Sequence, residues 1–225
     1  LSPSIAYISS SLGSGSGVLL DGGYVLTNAH VVWPDWAADL TFPDGSKFED
    51  VPVAGQDGLL DIAILGPIDT DLPPLTFVDG ESEVVGGDVL LIGYPGESNT
   101  APQPALNEGL ISRVRQWEEG GVTFFQTTSA VAGGQSGGVA LLPNGEPFGL
   151  SGLRFTEANY GLIASAVDLM PRVTELIERA EAGRALTEGT PRELTQDRFN
   201  LDNIHSQHAY RLAAEPDTDV ALTLD

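Results

Sequence analysis

The sequence predicts an all-β protein closed by one C-terminal helix. Three observations carry that expectation. Short apolar runs recur through about the first 165 residues, 27 glycines and 15 prolines punctuate them, and only near the end does the apolar spacing become helical.

The runs come in order as Ser4–Ile8, Gly17–Leu20, Tyr24–Val32, Ile62–Leu65, Val89–Ile92, Val122–Thr127, Val139–Leu142 and Leu162–Val167. Most are short and rich in Val, Leu, Ile and Phe, which suit the pleated, half-buried surface of a strand. Asp21-Gly22-Gly23 reads as a tight hairpin turn between the second and third runs, and Asn144-Gly145 reads the same way before Phe148-Gly149-Leu150. Such strand spacing suits a sandwich or barrels. From Asp168 the apolar positions are Leu169, Val173, Leu176, Ile177 and Ala180, the stripe of a helix over 168–182. Asp168 is the expected N-cap, Pro171 falls in the first turn and Gly183 ends the helix. Residues 184–225 form a polar tail in which Ala209–Leu212 and Val220–Leu224 could be strands. Forty-two residues are few for a stable unit of their own.

Charge and composition narrow the function. The net charge of −22, with ten cations of which only Lys47 is a lysine, argues against binding nucleic acid, whose phosphates need clustered cations. A hydrophobic fraction of 41% is that of a folded chain. With no cysteine, neither a cysteine nucleophile nor a thiolate metal site is available. No apolar stretch reaches the roughly 20 residues that span a bilayer, so no stable membrane insertion is expected. No basic segment followed by an apolar core opens these residues, and Leu1 in place of Met suggests a processed chain. His205 and His208, with Asp202, have the spacing of a surface metal site but lack a buried frame, so neither metal nor other cofactor is expected.

Three segments could carry chemistry. In Ala132-Gly133-Gly134-Gln135-Ser136-Gly137-Gly138, glycines would let the backbone turn sharply, expose the Ser136 hydroxyl and leave the N–H groups of Gly134 and Ser136 free to face an oxyanion. The same text is compatible with an ordinary turn. His30, after the apolar Tyr24–Ala29, is the only histidine in the first 200 residues, so it is the sole histidine base for Ser136 in this region, though a buried core role also fits. Asp61 abuts Ile62–Leu65 and could orient that imidazole; Asp57 is its rival.

Together, Gly13-Ser14-Gly15-Ser16-Gly17-Val18, Leu26-Thr27-Asn28-Ala29-His30-Val31-Val32, Asp61-Ile62-Ala63-Ile64-Leu65 and Gly134-Gln135-Ser136-Gly137-Gly138 resemble the trypsin-like serine proteases, and within them the HtrA-like (Deg) group. The order His, Asp, Ser and the intervals of 31 and 75 residues are similar to those of compact bacterial members. Val89–Pro95 and Gly109–Ser112 look like strands opening a second barrel, and the resemblance spans about residues 5–182. It implies two six-stranded antiparallel Greek-key barrels, roughly 5–85 and 86–167, with the site in the cleft between them. It also implies a serine endopeptidase with triad His30, Asp61 and Ser136, an oxyanion hole around Gly134, Gln135 and Ser136, polypeptide substrates and a location outside the cytoplasm. The specificity pocket would be lined by Ser129-Ala130-Val131, Ser151-Gly152-Leu153 and Ala164-Ser165-Ala166, which carry no charge and so favour small or medium apolar side chains. Gln135 departs from digestive enzymes, which have an aspartate there that pairs with a newly cut N-terminus. The tail is too short for the PDZ domain that usually follows in HtrA proteins, which leaves oligomerisation open, and it resembles the opening of a pre-peptidase C-terminal β-domain. A catalytically silent protein-binding module of the same fold is the alternative. An esterase elbow is disfavoured, since no helix is expected after Ser136.

Overall fold

The computed structural model describes residues 2–80, 85–96, 102–129, 134–155, 160–182 and 207–208, with only the backbone described at 2, 153–155 and 207–208. Strands β1 (Ile5–Ser10), β2 (Gly13–Leu19), β3 (Val25–Thr27), β4 (Ala37–Thr41), β5 (Lys47–Asp57) and β6 (Ile62–Leu65) form the first barrel. They pair antiparallel in the closed order β1-β2-β3-β6-β5-β4. The second barrel repeats that order with β7 (Asp88–Gly93), β8 (Ala105–Trp117), β9 (Val122–Thr127), β10 (Val139–Leu141), β11 (Pro147–Phe155) and β12 (Tyr160–Ser165), closed as β7-β8-β9-β12-β11-β10. Closure removes the exposed edges that antiparallel sheets otherwise carry. A two-residue strand, β13 (Gln207–His208), lies antiparallel to the end of β5. The rest of the tail lies outside the described residues.

Each barrel has its own core. Val25, Leu40, Phe42, Val53 and Leu65 fill the first; Val89, Ile111, Phe125, Phe148 and Ile163 fill the second, where the Phe125 and Phe148 rings meet edge to face. A third cluster joins them, with Ile5, Leu26 and Ile64 from one barrel and Tyr94, Val139 and Leu150 from the other. The Tyr94 hydroxyl crosses the seam to donate to the Ile5 carbonyl at 3.2 Å, and burial pushes the phenol up to about 12, with the charge of Asp44 adding to it. Helix α2 (Ala166–Ala182) packs Leu169, Val173, Leu176 and Ala180 into this third cluster. The two leucines and the valine each contribute on the order of 1.5–3 kcal/mol on burial.

Several boundaries differ from the sequence expectation. The run Tyr24–Val32 divides into β3 and a single helical turn, α1 (Ala29–Val32), because its last residues bond backward, Val31 N–H to Asn28 and Trp33 N–H to Ala29. Helix α2 starts at Ala166, two residues earlier than expected. Asp168 does not cap it: the carboxylate instead accepts the Thr123 N–H of β9 at 2.7 Å, while Ser165 occupies the cap position with Oγ 3.5 Å from the Asp168 nitrogen. Pro171 therefore sits in the second turn. Asp21–Gly23 forms a short 3-10 turn between β2 and β3, with both glycines at φ +76°.

Candidate active site

His30 sits on α1, beside the barrel seam, with its neighbours Ala29, Val31 and Val32 buried and its own side chain 47% exposed. Asp61 ends the turn from β5 to β6, whose register pairs Asp57 with Ile62 and leaves residues 58–61 as the loop. Its φ of +53° is left-handed, uncommon for a residue with a Cβ and costly by roughly 1–3 kcal/mol. The carboxylate meets α1 just beyond the end of β3. Oδ2 lies 2.8 Å from His30 Nδ1, and Oδ1 accepts the His30 backbone N–H at 3.0 Å. The carboxylate thus fixes both ring and backbone of the histidine. With Nδ1 engaged as a donor, the opposite nitrogen, Nε2, is left as the acceptor.

The rival Asp57 is wholly buried and turned elsewhere. Its Oδ1 accepts the N–H groups of Leu59 and Leu60, and its Oδ2 accepts from Arg172 of α2 at 2.9 Å.

Ser136 lies on the loop leading into β10 and is tied to the first barrel by its own carbonyl, which accepts the Ser16 N–H at 2.8 Å. Ser16 is fully buried; its Oγ donates to the Gly134 carbonyl and accepts the Tyr94 N–H, both at 2.8 Å. Gly137 has φ +79°, and a Cβ there would lie 2.0 Å from the Ser16 carbonyl oxygen, so only glycine lets the two barrels close at this point. Gly134 has φ +89° and a similarly close approach to Gly96 and Tyr94. Among the described residues, no hydrogen bond engages the N–H of Gly134 or of Ser136.

Asn28, 5% exposed, joins the two halves. Its Nδ2 donates to the Asp61 carbonyl at 2.8 Å and its Oδ1 accepts the Gly137 N–H at 2.7 Å. The histidine segment contains this residue, but its local text alone points to no role for it. The signal was its polar side chain between an apolar strand and His30. Ser16 was missed in the same way, inside a glycine-rich text.

Ser136 Oγ donates to the Gly152 carbonyl at 3.2 Å, and among the described residues no hydrogen bond joins it to the His30 ring. Gly152 is the extra residue of a β-bulge, since Ser151 pairs with Ile163 and Leu153 with Leu162. Gln135 does not face the cleft with its side chain. It is 1% exposed and its Oε1 accepts from Asn107 of β8 at 3.1 Å, an amide pair in place of an N-terminal salt bridge.

The residues expected to form the specificity pocket fare unequally. Gly152 and Ala164 line a cavity of about 250 Å³ between the barrels, together with Leu59, Leu60, Trp117 and Phe124. Asp61 and Asn28 are on its wall. Ser151 and Ser165 are each 1% exposed and Ala166 is fully buried, and none of them lines it. Ser129 is buried, Ala130 and Val131 lie outside the described residues, and only the backbone of Leu153 is described. Among the described residues no group of His, Asp and Glu could hold a metal ion, and His205 and Asp202 lie outside them. No described helix is long and apolar enough to cross a membrane.

Two closed barrels with a histidine–aspartate pair on one and a glycine-flanked serine on the other define the trypsin-like class. The trypsin-like peptidase domain family matches residues 15–150, and the chain belongs to that family. Its relatives are of the HtrA/Deg type. Serine endoprotease DegS of Salmonella typhimurium is 33% identical over 152 residues, covering 65% of this chain and 41% of that protein. A probable periplasmic serine endoprotease, DegP-like, of Halomonas elongata is 33% identical over 150 residues, covering 66% of this chain and 30% of that protein. The chain thus spans less than half the length of these curated relatives. The crystal structure of the serine endoprotease from Yersinia pestis superposes with a TM-score of 0.67 at 28% identity, covering 79% of this chain and 64% of that one.

Proposed function

We propose that this chain is a serine endopeptidase whose triad is His30, Asp61 and Ser136. The observation that carries the reading is the double hold of Asp61 on His30, with Asn28 bonding at once to the Asp61 carbonyl and to the residue after Ser136. The Ser136 hydroxyl needs only a rotation about its Cα–Cβ bond to leave the Gly152 carbonyl, and catalytic hydrogen bonds commonly tighten only when substrate binds. In the proposed cycle His30 Nε2 takes the Ser136 proton while Oγ attacks the scissile carbonyl. The N–H groups of Gly134 and Ser136, with the Gln135 peptide between them, receive the oxyanion. His30 then protonates the leaving amine, and water releases the acyl group by the reverse sequence.

The cavity walled by Leu59, Leu60, Phe124, Gly152 and Ala164 supports a preference for apolar side chains near the cleaved bond, since among the described residues no charged group other than Asp61 lines it. Polypeptide substrates and an extracytoplasmic location follow from the relatives, one of which is named periplasmic.

The reading is tested by casein cleavage with and without a fluorophosphonate, on the chain and on Ser136→Ala. Labelling and cleavage should both disappear in the variant while its circular dichroism is unchanged. Cleavage that survives the substitution would remove Ser136 from the mechanism. A peptide library should show cleavage after small or medium apolar residues, and cleavage after Arg would overturn the specificity.

A further inference from the structure

The carboxylate proposed to orient His30 is presented by a strained four-residue loop, and that loop is held from outside the cleft. Asp57, at the end of β5, accepts both the Leu59 and the Leu60 N–H with one carboxylate oxygen, at 3.0 and 3.2 Å. These two bonds set the first half of the loop; the second half ends in Asp61 at φ +53°. A fully buried carboxylate is unfavourable unless a cation and hydrogen bonds compensate it. Arg172 supplies them: 7% exposed, it donates from Nε to the second oxygen of Asp57 at 2.9 Å. Its own orientation is fixed by Glu175 one turn further along α2, which accepts from Nη1 at 2.6 Å and is itself bonded by Arg179. Leu169, Val173 and Leu176 seat that stretch of the helix in the core between the barrels.

We propose that Arg172 is a positioning residue for the peptidase reaction, acting through Asp57 and the 58–61 loop to hold the Asp61 carboxylate against His30. The inference rests on the triad reading above. It makes the closing helix part of the catalytic machinery's support, although Arg172 touches neither substrate nor triad. Without the guanidinium, the buried Asp57 carboxylate loses its compensating partner, and its grip on the Leu59 and Leu60 amides loosens. A displacement of about 1 Å in such a group can cost up to about 100-fold in rate.

The test is a double-mutant cycle on the full chain, with functional sites counted by exhaustive fluorophosphonate labelling so that kcat is expressed per competent molecule. Arg172→Met should lower kcat per site by about 10- to 100-fold with KM within about twofold of the parent, and Arg172→Lys should recover part of the loss. In the Asp61→Asn background, Arg172→Met should change the labelling rate by less than about twofold, because the group it positions is already gone. A purely structural Arg172 would reduce the number of sites and leave kcat per site unchanged, and that result overturns the proposal. So does a full, additive loss in the Asp61→Asn background. Should Arg172→Met fail to fold, Arg172→Lys carries the same comparison: a parent-like kcat per site in Arg172→Lys, or a loss in it that persists in full in the Asp61→Asn background, is equally fatal. An Asp61→Asn chain as fast as the parent would instead sink the triad reading itself, whatever Arg172 does.

Discussion

Asp61 meets His30 through both carboxylate oxygens, Oδ2 on the ring nitrogen Nδ1 at 2.8 Å and Oδ1 on the backbone N–H at 3.0 Å. The second contact fixes where α1 begins, so the ring is oriented by the same group that sets its helical turn. Asp61→Asn keeps the size of the side chain but can place an amide N–H against Nδ1, which would turn the imidazole to the tautomer unable to accept from Ser136. We expect kcat to fall roughly 10⁴-fold with little change in unfolding midpoint. Steady-state kinetics per labelled site check this, and a loss below about tenfold would mean that Asp61 does not orient the base.

Asn28 makes a different kind of link, from the acid loop of one barrel to the serine loop of the other. Asn28→Ala leaves the Asp61 carbonyl without its donor and the Gly137 N–H without the amide acceptor, although the Ser151 carbonyl also accepts that N–H at 2.7 Å. The expected destabilisation is about 1–3 kcal/mol in urea unfolding. Asn28→Asp should be worse, since an ionised carboxylate would set an acceptor against the Asp61 carbonyl oxygen at the same contact. An Asp variant more stable than the Ala variant would contradict this assignment of the amide.

Gly137→Ala tests the closeness of the barrels behind the serine. A methyl group would fall 2.0 Å from the Ser16 carbonyl oxygen and 2.3 Å from Thr27 Oγ1, at a φ that L-residues avoid. Backbone cannot yield there without parting β2 from the serine loop. Fluorophosphonate labelling should drop at least about 100-fold, and the melting temperature should fall as the Ser16–Ser136 bond opens. A variant that labels at the parent rate would show that the loop does not need this approach.

The cavity beside Asp61 yields a substrate-dependent prediction. Ala164→Phe would place a phenyl ring in the space of about 250 Å³ that Gly152, Leu59 and Phe124 help enclose. If that space takes a medium-sized apolar side chain of the substrate, kcat/KM for peptides bearing one should fall about 10- to 200-fold, while peptides with alanine there are spared. Equal losses on both peptides would assign the cavity a structural role only.

The fold was legible because β6 is an unbroken apolar run and β9 is built on Val122, Phe124 and Phe125 among β-favouring threonines, and the structure keeps their ends at Ile62–Leu65 and Val122–Thr127. Strands β4 and β8 were harder to see. β4 alternates, with Ala38 and Leu40 buried on either side of an exposed Asp39, but spans only five residues, whereas charged and polar residues interrupt β8 and leave its Leu106, Leu110 and Val114 exposed. The family resemblance implies a pair of His30 and Asp61, and the preference for Asp61 over Asp57 rests on the abutment of Asp61 to the buried run Ile62–Leu65; the structure sets Asp61 Oδ2 2.8 Å from His30 Nδ1. What no one-dimensional pattern could supply was where the carbonyls point. The roles of Asn28 and Ser16 consist of bonds to backbone atoms that are distant in the chain, with Ser16 and the Gly134 carbonyl it holds 118 positions apart. Asp168 misled for the same reason: as a cap it is locally sensible, but the Thr123 N–H of another strand offers its carboxylate a better partner.

Glu175 gives the helix anchor a pH dependence whose sign can be worked out. Partial burial acts to raise this carboxyl, but hydrogen bonds and charge from Arg172 and Arg179 outweigh it and hold the group below its ordinary value of 4.5. A carboxyl lowered on folding contributes stability that is fully present above the unfolded-state value and lost as the pH falls through the folded one. Glu175→Gln should therefore be less stable than the parent at neutral pH. The gap should begin to close below the ordinary value of 4.5 and continue closing as the medium grows more acid. Because Glu175 is 45% exposed, screening keeps the contribution small and added salt should reduce it further. Urea unfolding of both chains across the acid range reads it directly. A gap that widens on acidification would mean that the ion pair with Arg172 does not stabilise the folded helix.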